Sequence, residues 1–205
     1  MIFFSELKHG DVSLTLVKRS DVTDLKNLIL SNRAWLRPWE ATNPYGANSF
    51  DIGGMVSALR RQFRRGEGVP LIIRYQGRAV GQLNVSNIVM GSMGNAMVGY
   101  WIEPSVAGLG ITPTAVALVS DYLFKVLGLH RVEIDIRPEN AASLRIVEKL
   151  GFRYEGLKER YIHINGAWRD HYVFALTNEE VPQGVLDRWI RGKVPALKYP
   201  PIRSE

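Results

Sequence analysis

The sequence predicts an α+β protein in which one mixed sheet is flanked by helices. Three observations carry this. Strict apolar–polar alternation recurs, most cleanly over Arg131 to Arg137, where Val132, Ile134 and Ile136 share one side. Other segments place apolar residues at helical spacing, as Val116, Val119, Leu123 and Val126 do. Along the chain these segments run as a strand, two helices, three strands, a helix, a strand, a helix and a hairpin.

Val12 to Arg19 is the first strand, with Val12, Leu14 and Leu16 on one side. Ser20 and Asp21 offer caps to a helix carrying Val22, Leu25, Leu28 and Ile29. An aromatic segment from Arg33 to Glu40 follows. The second helix, from about Ser49 to Arg65, buries Ile52, Val56, Leu59 and Phe63, and Gly66 and Gly68 end it. Val69 to Tyr75 and Ala79 to Ser86 are strands joined through Gln76-Gly77-Arg78, and Asn95 to Glu103 is another, stopped by Pro104. A third helix begins at Thr112 or Pro113, because threonine caps and a first-turn proline has no amide hydrogen to leave unbonded. Gly128 closes it. After the Arg131 strand, Asn140 caps a fourth helix and Gly151 terminates it. Phe152 to Ile164 and Ala167 to Leu176 form a hairpin on Asn165-Gly166, which pairs His163 with Trp168 and Tyr161 with Asp170. Residues 1–11 are a lead-in, 12–176 the domain, and 177–205 a Pro-rich tail with a short helical stretch from Val185 to Ile190.

Composition narrows the function classes. With 205 residues, one domain is favoured, large enough to bury a core without disulfide or metal staples. The chain has no cysteine, which excludes disulfides, thiolate metal sites and a thiol nucleophile, and fits a reducing compartment. A net charge of +6 suits an anionic partner without choosing among phosphate ligand, nucleic acid and membrane surface. The first residues lack the order of a signal peptide, and no apolar run reaches the ~18 residues of a membrane helix. The expectation is a soluble, cytoplasmic protein.

Chemistry concentrates in Ser105-Val106-Ala107-Gly108-Leu109-Gly110-Ile111-Thr112-Pro113, where a strand ends, two glycines allow close approach and a helix starts. Free N–H groups and the helix dipole there favour a phosphate. The spacing is neither a phosphate loop nor a dinucleotide fingerprint, and a plain connecting turn is an equal reading of Gly-x-Gly alone. Further matches fall on Trp35-Leu36-Arg37-Pro38-Trp39-Glu40, Gly99-Tyr100-Trp101-Ile102, Leu129-His130-Arg131-Val132-Glu133, Pro138-Glu139-Asn140-Ala141-Ala142-Ser143, Glu148-Lys149-Leu150-Gly151-Phe152, Glu155-Gly156 and Gly166-Ala167-Trp168-Arg169-Asp170-His171. With these the chain resembles the GNAT N-acetyltransferases over residues ~12–176, and within them the RimJ/RimL-like branch that acetylates ribosomal-protein N-termini.

The resemblance implies a mostly antiparallel sheet whose fourth and fifth strands splay apart, and acetyl-CoA as co-substrate without a metal. It places the diphosphate on Ala107, Gly108, Leu109, Gly110, Ile111 and Thr112, and the pantetheine arm along Tyr100, Trp101, Ile102 and Glu103. Asn140 and Ser143 fall at the start of the following helix, with Ser143 near the departing thiolate. Three positions depart from the family. Ala107 replaces a Gln or Arg, Thr112 replaces a Gly or Ala, and Val147 replaces the Tyr that protonates the thiolate in many relatives.

Simpler readings stand beside these. Asn140 is also a helix cap, Ser143 a solvated first-turn residue, and Glu103 a sheet-edge cap as well as the first candidate to accept the amine proton, directly or through water. Trp35 and Trp39 are either core or rim aromatics or an acceptor wall. Arg60, Arg61, Arg64 and Arg65 are a solvated helix face, with an RNA contact the minority reading. The four histidines lack metal-like spacing, and Asp170 and His171 belong to the acceptor site only by family likeness.

The resemblance implies direct attack of an amine on the thioester in a ternary complex. An α-amino group has a pKa of about 7.7–8.0 and lysine about 10.4, a gap that corresponds to about 3.4 kcal/mol which a lysine-directed site must supply. The first reading is therefore a protein N-terminus, plausibly of a ribosomal protein, as acceptor. The alternatives are a small-molecule amine, or a module that holds acyl-CoA or a ribosomal partner without turnover. The protein acts as a monomer or homodimer.

Overall fold

In the computed structural model, which describes residues 2–46, 51–192 and 194–200, the alternating runs become eight strands of one sheet. They are β1 (Leu7–His9), β2 (Val12–Leu16), β3 (Val69–Tyr75), β4 (Arg78–Val89), β5 (Asn95–Ile102), β6 (Arg131–Ile136), β7 (Arg153–Ile164) and β8 (Ala167–Thr177). The helices are α1 (Val22–Ser31), α2 (Arg33–Leu36), α3 (Ile52–Arg65), α4 (Ile111–Lys125), α5 (Ala141–Leu150) and α6 (Val185–Arg191). The sheet order is β1-β2-β3-β4-β5-β6-β8-β7. Every pairing is antiparallel except β5 with β6, the pair bridged by the α4 crossover.

Patterning decides which helix covers which face. The smaller core joins Leu25, Ile29 and Leu36 to Ile52 and Val56 of α3 and to Ile72 of β3. On the opposite face α4 is apolar almost all round, with Val116, Val119 and Leu123 fully buried. A helix of that kind needs cover on every side, and α4 has the sheet beneath it, α5 beside it and α6 across it. Among the described residues no helix is long and apolar enough to cross a membrane.

Local signals place most boundaries. Asn140 caps α5, its Oδ1 accepting the Ser143 N–H at 3.1 Å, and Gly151 ends that helix in the left-handed region (φ +74°). His163 faces Trp168 across the Asn165-Gly166 turn as expected.

Other expectations are corrected. The lead-in contains β1, which pairs with β2 but is too short to show a period. The first long strand stops at Leu16. Asp21 does not cap α1 with its side chain, which instead accepts the Lys18 N–H at 2.7 Å and an Arg74 guanidinium N–H at 3.0 Å. Arg33–Leu36 of the aromatic segment is helical. Ser49 lies outside the described residues, and Asp51 caps α3 through Gly54 N–H at 2.9 Å. Helix α4 starts at Ile111, one residue before Thr112, because Gly110 forms its cap at φ +78°; its C-terminal cap is Val126, ahead of Gly128. Tyr161 does not pair with Asp170. The register slips between Lys158↔His171 and Ile162↔Arg169, and the Arg160 N–H donates to Asp170 Oδ1 at 2.7 Å within that bulge.

The C-terminal segment is packed against α4 and α5. Gly184 at the start of α6 has no capping side chain, and Asp121 of α4 does that work, accepting N–H groups of Val185 (2.7 Å) and Leu186 (3.3 Å). Arg188 donates to the carbonyls of Leu150 and Gly151 at the end of α5 and to that of Glu180. Asp121→Ala should therefore lower stability by about 1 kcal/mol in urea unfolding, and hydrogen exchange should show α6 amides losing protection before those of α4.

Candidate active site

Strands β5 and β6 share only three residue pairs, Asn95↔Arg131, Ala96↔Val132 and Met97↔Glu133, and then part. From Val98 onward β5 pairs with β4 alone. Main-chain groups alternate sides in an antiparallel ladder. Because the Glu103 N–H donates to Val80 at 2.9 Å, the groups of Gly99 and Trp101 face β4 and those of Val98, Tyr100 and Ile102 face the gap. The Ile102 carbonyl accepts the indole N–H of Trp35 at 3.0 Å. A cleft of about 190 Å³ opens there, lined by Trp39, Tyr100, Asp135, Asn140, Ser143 and His171 among others.

At the end of β5 the chain makes a single tight turn, Pro104–Val106, which uses the Ala107 N–H on the Pro104 carbonyl at 3.2 Å. Gly108 (φ +87°) and Gly110 (φ +78°) then turn the backbone into α4 through conformations that strain any residue with a Cβ. Amides from Gly108 to Thr112 precede or open the helix and are its orphan donors, reinforced by the helix dipole. The Gly110 carbonyl accepts from Thr114 N–H (3.2 Å) and Thr114 Oγ1 (2.8 Å), and Trp189 Nε1 of α6 donates to Thr114 Oγ1 at 3.0 Å. The C-terminal helix thus braces the glycine turn. Thr112 and Ile111 are buried, whereas Leu109 is exposed.

Of the residues expected at the cofactor, Tyr100, Asn140 and Ser143 line the cleft. Val147 is fully buried in the main core, and Trp101 packs its ring against the smaller core. The two tryptophans of the aromatic segment divide. Trp39 lines the cleft and lies beneath the Arg137 guanidinium, 5.4 Å from its ring centre, while Trp35 pins α2 to the edge of β5.

Glu103, expected to take the amine proton, is occupied. Its Oε1 accepts from Arg78 and from Ser105 Oγ at 2.9 Å, and it is not among the residues lining the cleft. The hydrogen bond from Arg78 holds the carboxyl below its ordinary pKa, against a smaller opposing effect of burial, so it is a weak base.

The groups that do line the cleft behave differently. Burial raises the pKa of the Tyr100 hydroxyl far above its ordinary value. Ser143 is close enough to oppose this slightly, yet among the described residues no hydrogen bond of standard geometry reaches that oxygen. Asp135, its side chain 3% exposed, is raised by desolvation against the pull of Lys158, whose Nζ sits 3.0 Å from Oδ2. His171 is buried and its pKa lowered, chiefly by desolvation. Its Nδ1 lies 3.0 Å from the Arg169 carbonyl. A carbonyl only accepts, so Nδ1 carries the hydrogen and Nε2 the lone pair. No apolar–polar alternation over β8 marks His171 as inward-facing, and only the tertiary structure puts it on the cleft.

A glycine turn rich in free amides at the start of a helix, beside parted parallel strands, has the chemistry to receive an extended ligand with an anionic end. The chain matches the acetyltransferase (GNAT) domain family over residues 11–153. It belongs to the GNAT acetyltransferases and is an acyltransferase that uses acetyl-CoA. Its relatives include the [ribosomal protein uS5]-alanine N-acetyltransferase of Escherichia coli, 29% identical over 82% of this chain and 89% of that one. A "Probable N-acetyltransferase YjcK" of Bacillus subtilis is 40% identical over 52% of this chain, and the match spans 59% of that protein. Among solved structures, Mycobacterium smegmatis RimJ in complex with a CoA disulfide superposes with a TM-score of 0.83 at 34% identity, covering 91% of this chain and 92% of that one. The parting of β5 from β6 is the splay that the family resemblance implies.

Two predictions follow from this geometry. Trp189→Phe keeps the packing but deletes the donor to Thr114, and calorimetry should show acetyl-CoA Kd rising several-fold while kcat stays near wild type. Glu103 has a folded pKa below its unfolded value near about 4.3, so its ion pair stabilises the protein fully above that value and is lost as pH falls through the folded pKa. Glu103→Gln should accordingly flatten the acid side of the stability–pH curve below about pH 4.5.

Proposed function

We propose that the protein acetylates the α-amino group of a polypeptide N-terminus, that of a ribosomal protein being the first candidate. Acetyl-CoA supplies the acetyl group as an activated thioester. In this reading the amides of Gly108 to Thr112 hold its diphosphate, and the gap-facing N–H of Tyr100 stabilises negative charge developing on the carbonyl oxygen. Asn140 and Ser143, at the start of α5, flank the thiol end, with Ser143 or the Tyr100 hydroxyl beside it supplying a proton to the leaving sulfur. Trp39 and the Arg137 guanidinium above it form one wall on the acceptor side.

One observation favours an α-amine over lysine. The only carboxylate among the described residues lining the cleft, Asp135, is paired with Lys158, and Glu103 is paired with Arg78. The cleft therefore lacks a free anion able to strip a proton from a lysine ammonium, whereas roughly a tenth of α-amines are neutral at pH 7. Similarity to the uS5-alanine enzyme supports the same reading.

The test is a peptide panel with free Ala, Ser, Thr or Met N-termini, each carrying an internal lysine, read by fragment-ion mass spectrometry. Acetyl is expected on the α-nitrogen, and kcat/KM should rise with pH and level off above about 8 as the α-amine loses its proton. Transfer confined to lysine Nζ or to polyamines overturns the acceptor assignment.

A further inference from the structure

We infer that His171 is the catalytic base of the transfer: its Nε2 accepts the proton that the amine sheds as it attacks the thioester carbonyl. The inference rests on the acetyl-transfer reading of the cleft but not on which amine enters it.

Geometry carries the assignment. His171 sits on β8, whose neighbour β6 is the strand that parts from β5, and it lines the same cleft as Tyr100, Asn140 and Ser143. The Arg169 carbonyl fixes the hydrogen on Nδ1, which leaves Nε2 as an acceptor. The edge of the Tyr161 ring meets the imidazole at a centroid distance of 5.9 Å, nearly perpendicular, and steadies the ring plane. The charged groups around it are Arg137 from the end of β6, Glu139 from the turn into α5, Asp170 beside it on β8, Lys158 opposite on β7, and Asp135 on the neighbouring strand β6. Lys158 is already held by Glu133 and Asp135 at 2.7 and 3.0 Å. Burial outweighs the acidic neighbours, so the ring is neutral at pH 7.

The balance is simple. The amine nitrogen forms a bond to the acetyl carbon while the carbon–sulfur bond breaks and its electron pair leaves on sulfur. The nitrogen's surplus proton moves to Nε2. The imidazolium then returns that proton to the thiolate, directly or through the Ser143 and Tyr100 hydroxyls, leaving amide, thiol and neutral His171.

His171→Gln keeps a polar side chain of similar reach but removes the titrating nitrogen. On whichever amine the wild type acetylates, kcat should fall about 100-fold or more while acetyl-CoA Kd, measured by calorimetry, stays within twofold; the second value also reports that the variant is folded. In the wild type, kcat should fall on the acid side as Nε2 becomes protonated, at a pH below 6.5, the ordinary histidine value. That limb should vanish in His171→Gln and persist in Glu103→Gln. Nitrogen-15 spectra of the wild-type protein should show an Nδ1–H tautomer at pH 7. The inference is overturned if His171→Gln retains kcat within threefold, if Asp135→Asn removes the acid limb while His171→Gln keeps it, or if the spectra show hydrogen on Nε2. Failure of peptides but turnover of another amine removes the acceptor assignment and leaves this one standing.

Discussion

Everything at the site follows from the short pairing of two parallel strands. After Met97 and Glu133, β5 and β6 have no shared ladder, so the gap-facing carbonyl of Val98 and the gap-facing amide and carbonyl of Tyr100 have no strand to bond. Buried main-chain groups without partners are costly, and an extended ligand bearing amides satisfies them as a strand would. The same parting exposes the starts of α4 and α5, which follow the C-terminal ends of β5 and β6 respectively. Ligands in open sheets gather outside such strand ends. One topological feature thus opens both the free amides of Gly108–Thr112 and the start of α5 at Asn140 and Ser143, the two places that the proposed function gives to the diphosphate and the reacting end.

The C-terminal segment matters because α4 is apolar around nearly its whole circumference. Without α6 its outer face would meet water, and the hydrogen-bond chain from Trp189 through Thr114 to the Gly110 carbonyl would be lost. The ring of Trp189 lies 3.6 Å from where a Cβ on Gly110 would stand, so the tail packs directly against the glycine turn. Arg188 does the corresponding work at the far end of α5 through the Leu150 and Gly151 carbonyls. Residues distant in sequence from the site therefore govern its two supporting helices.

What the sequence made legible was local. Asn140 and Gly151 bracket α5 by capping chemistry that depends on a few neighbouring residues, and the Asn165-Gly166 turn sets the hairpin register near its tip. Glycine's tolerance of positive φ explains why α4 starts at Ile111; the rule that threonine caps pointed one residue too late because Gly110 adopts the cap position itself. Non-local pairings were invisible. Nothing near Glu103 in the sequence announces Arg78, 25 positions away, as the partner that holds its carboxylate. The bulge around Arg160 likewise depends on an Asp170 carboxylate across the hairpin. His171 stood in a readable hairpin strand, but a cleft formed by four strands, a helix start and the Trp39 segment has no signature in any one of them.

The proton balance explains why a neutral imidazole fits this cleft better than a carboxylate. A carboxylate beside Arg78 or Lys158 owes its charge to that cation, and taking a proton would forfeit the pairing, so its basicity is lowest where its charge is best stabilised. His171 has the opposite economy. Its neutral form is the one burial favours, it is fully available at pH 7, and it becomes charged only while the proton is in transit. The amine nitrogen grows strongly acidic as its bond to the acetyl carbon forms, so a base weaker than free imidazole still accepts from it. It does not suffice to deprotonate a resting lysine ammonium. In the proposed reading the limit on acceptor and the choice of base are thus one constraint: a cleft whose nearby anions, Asp135 and Glu103, are already paired suits amines that arrive neutral.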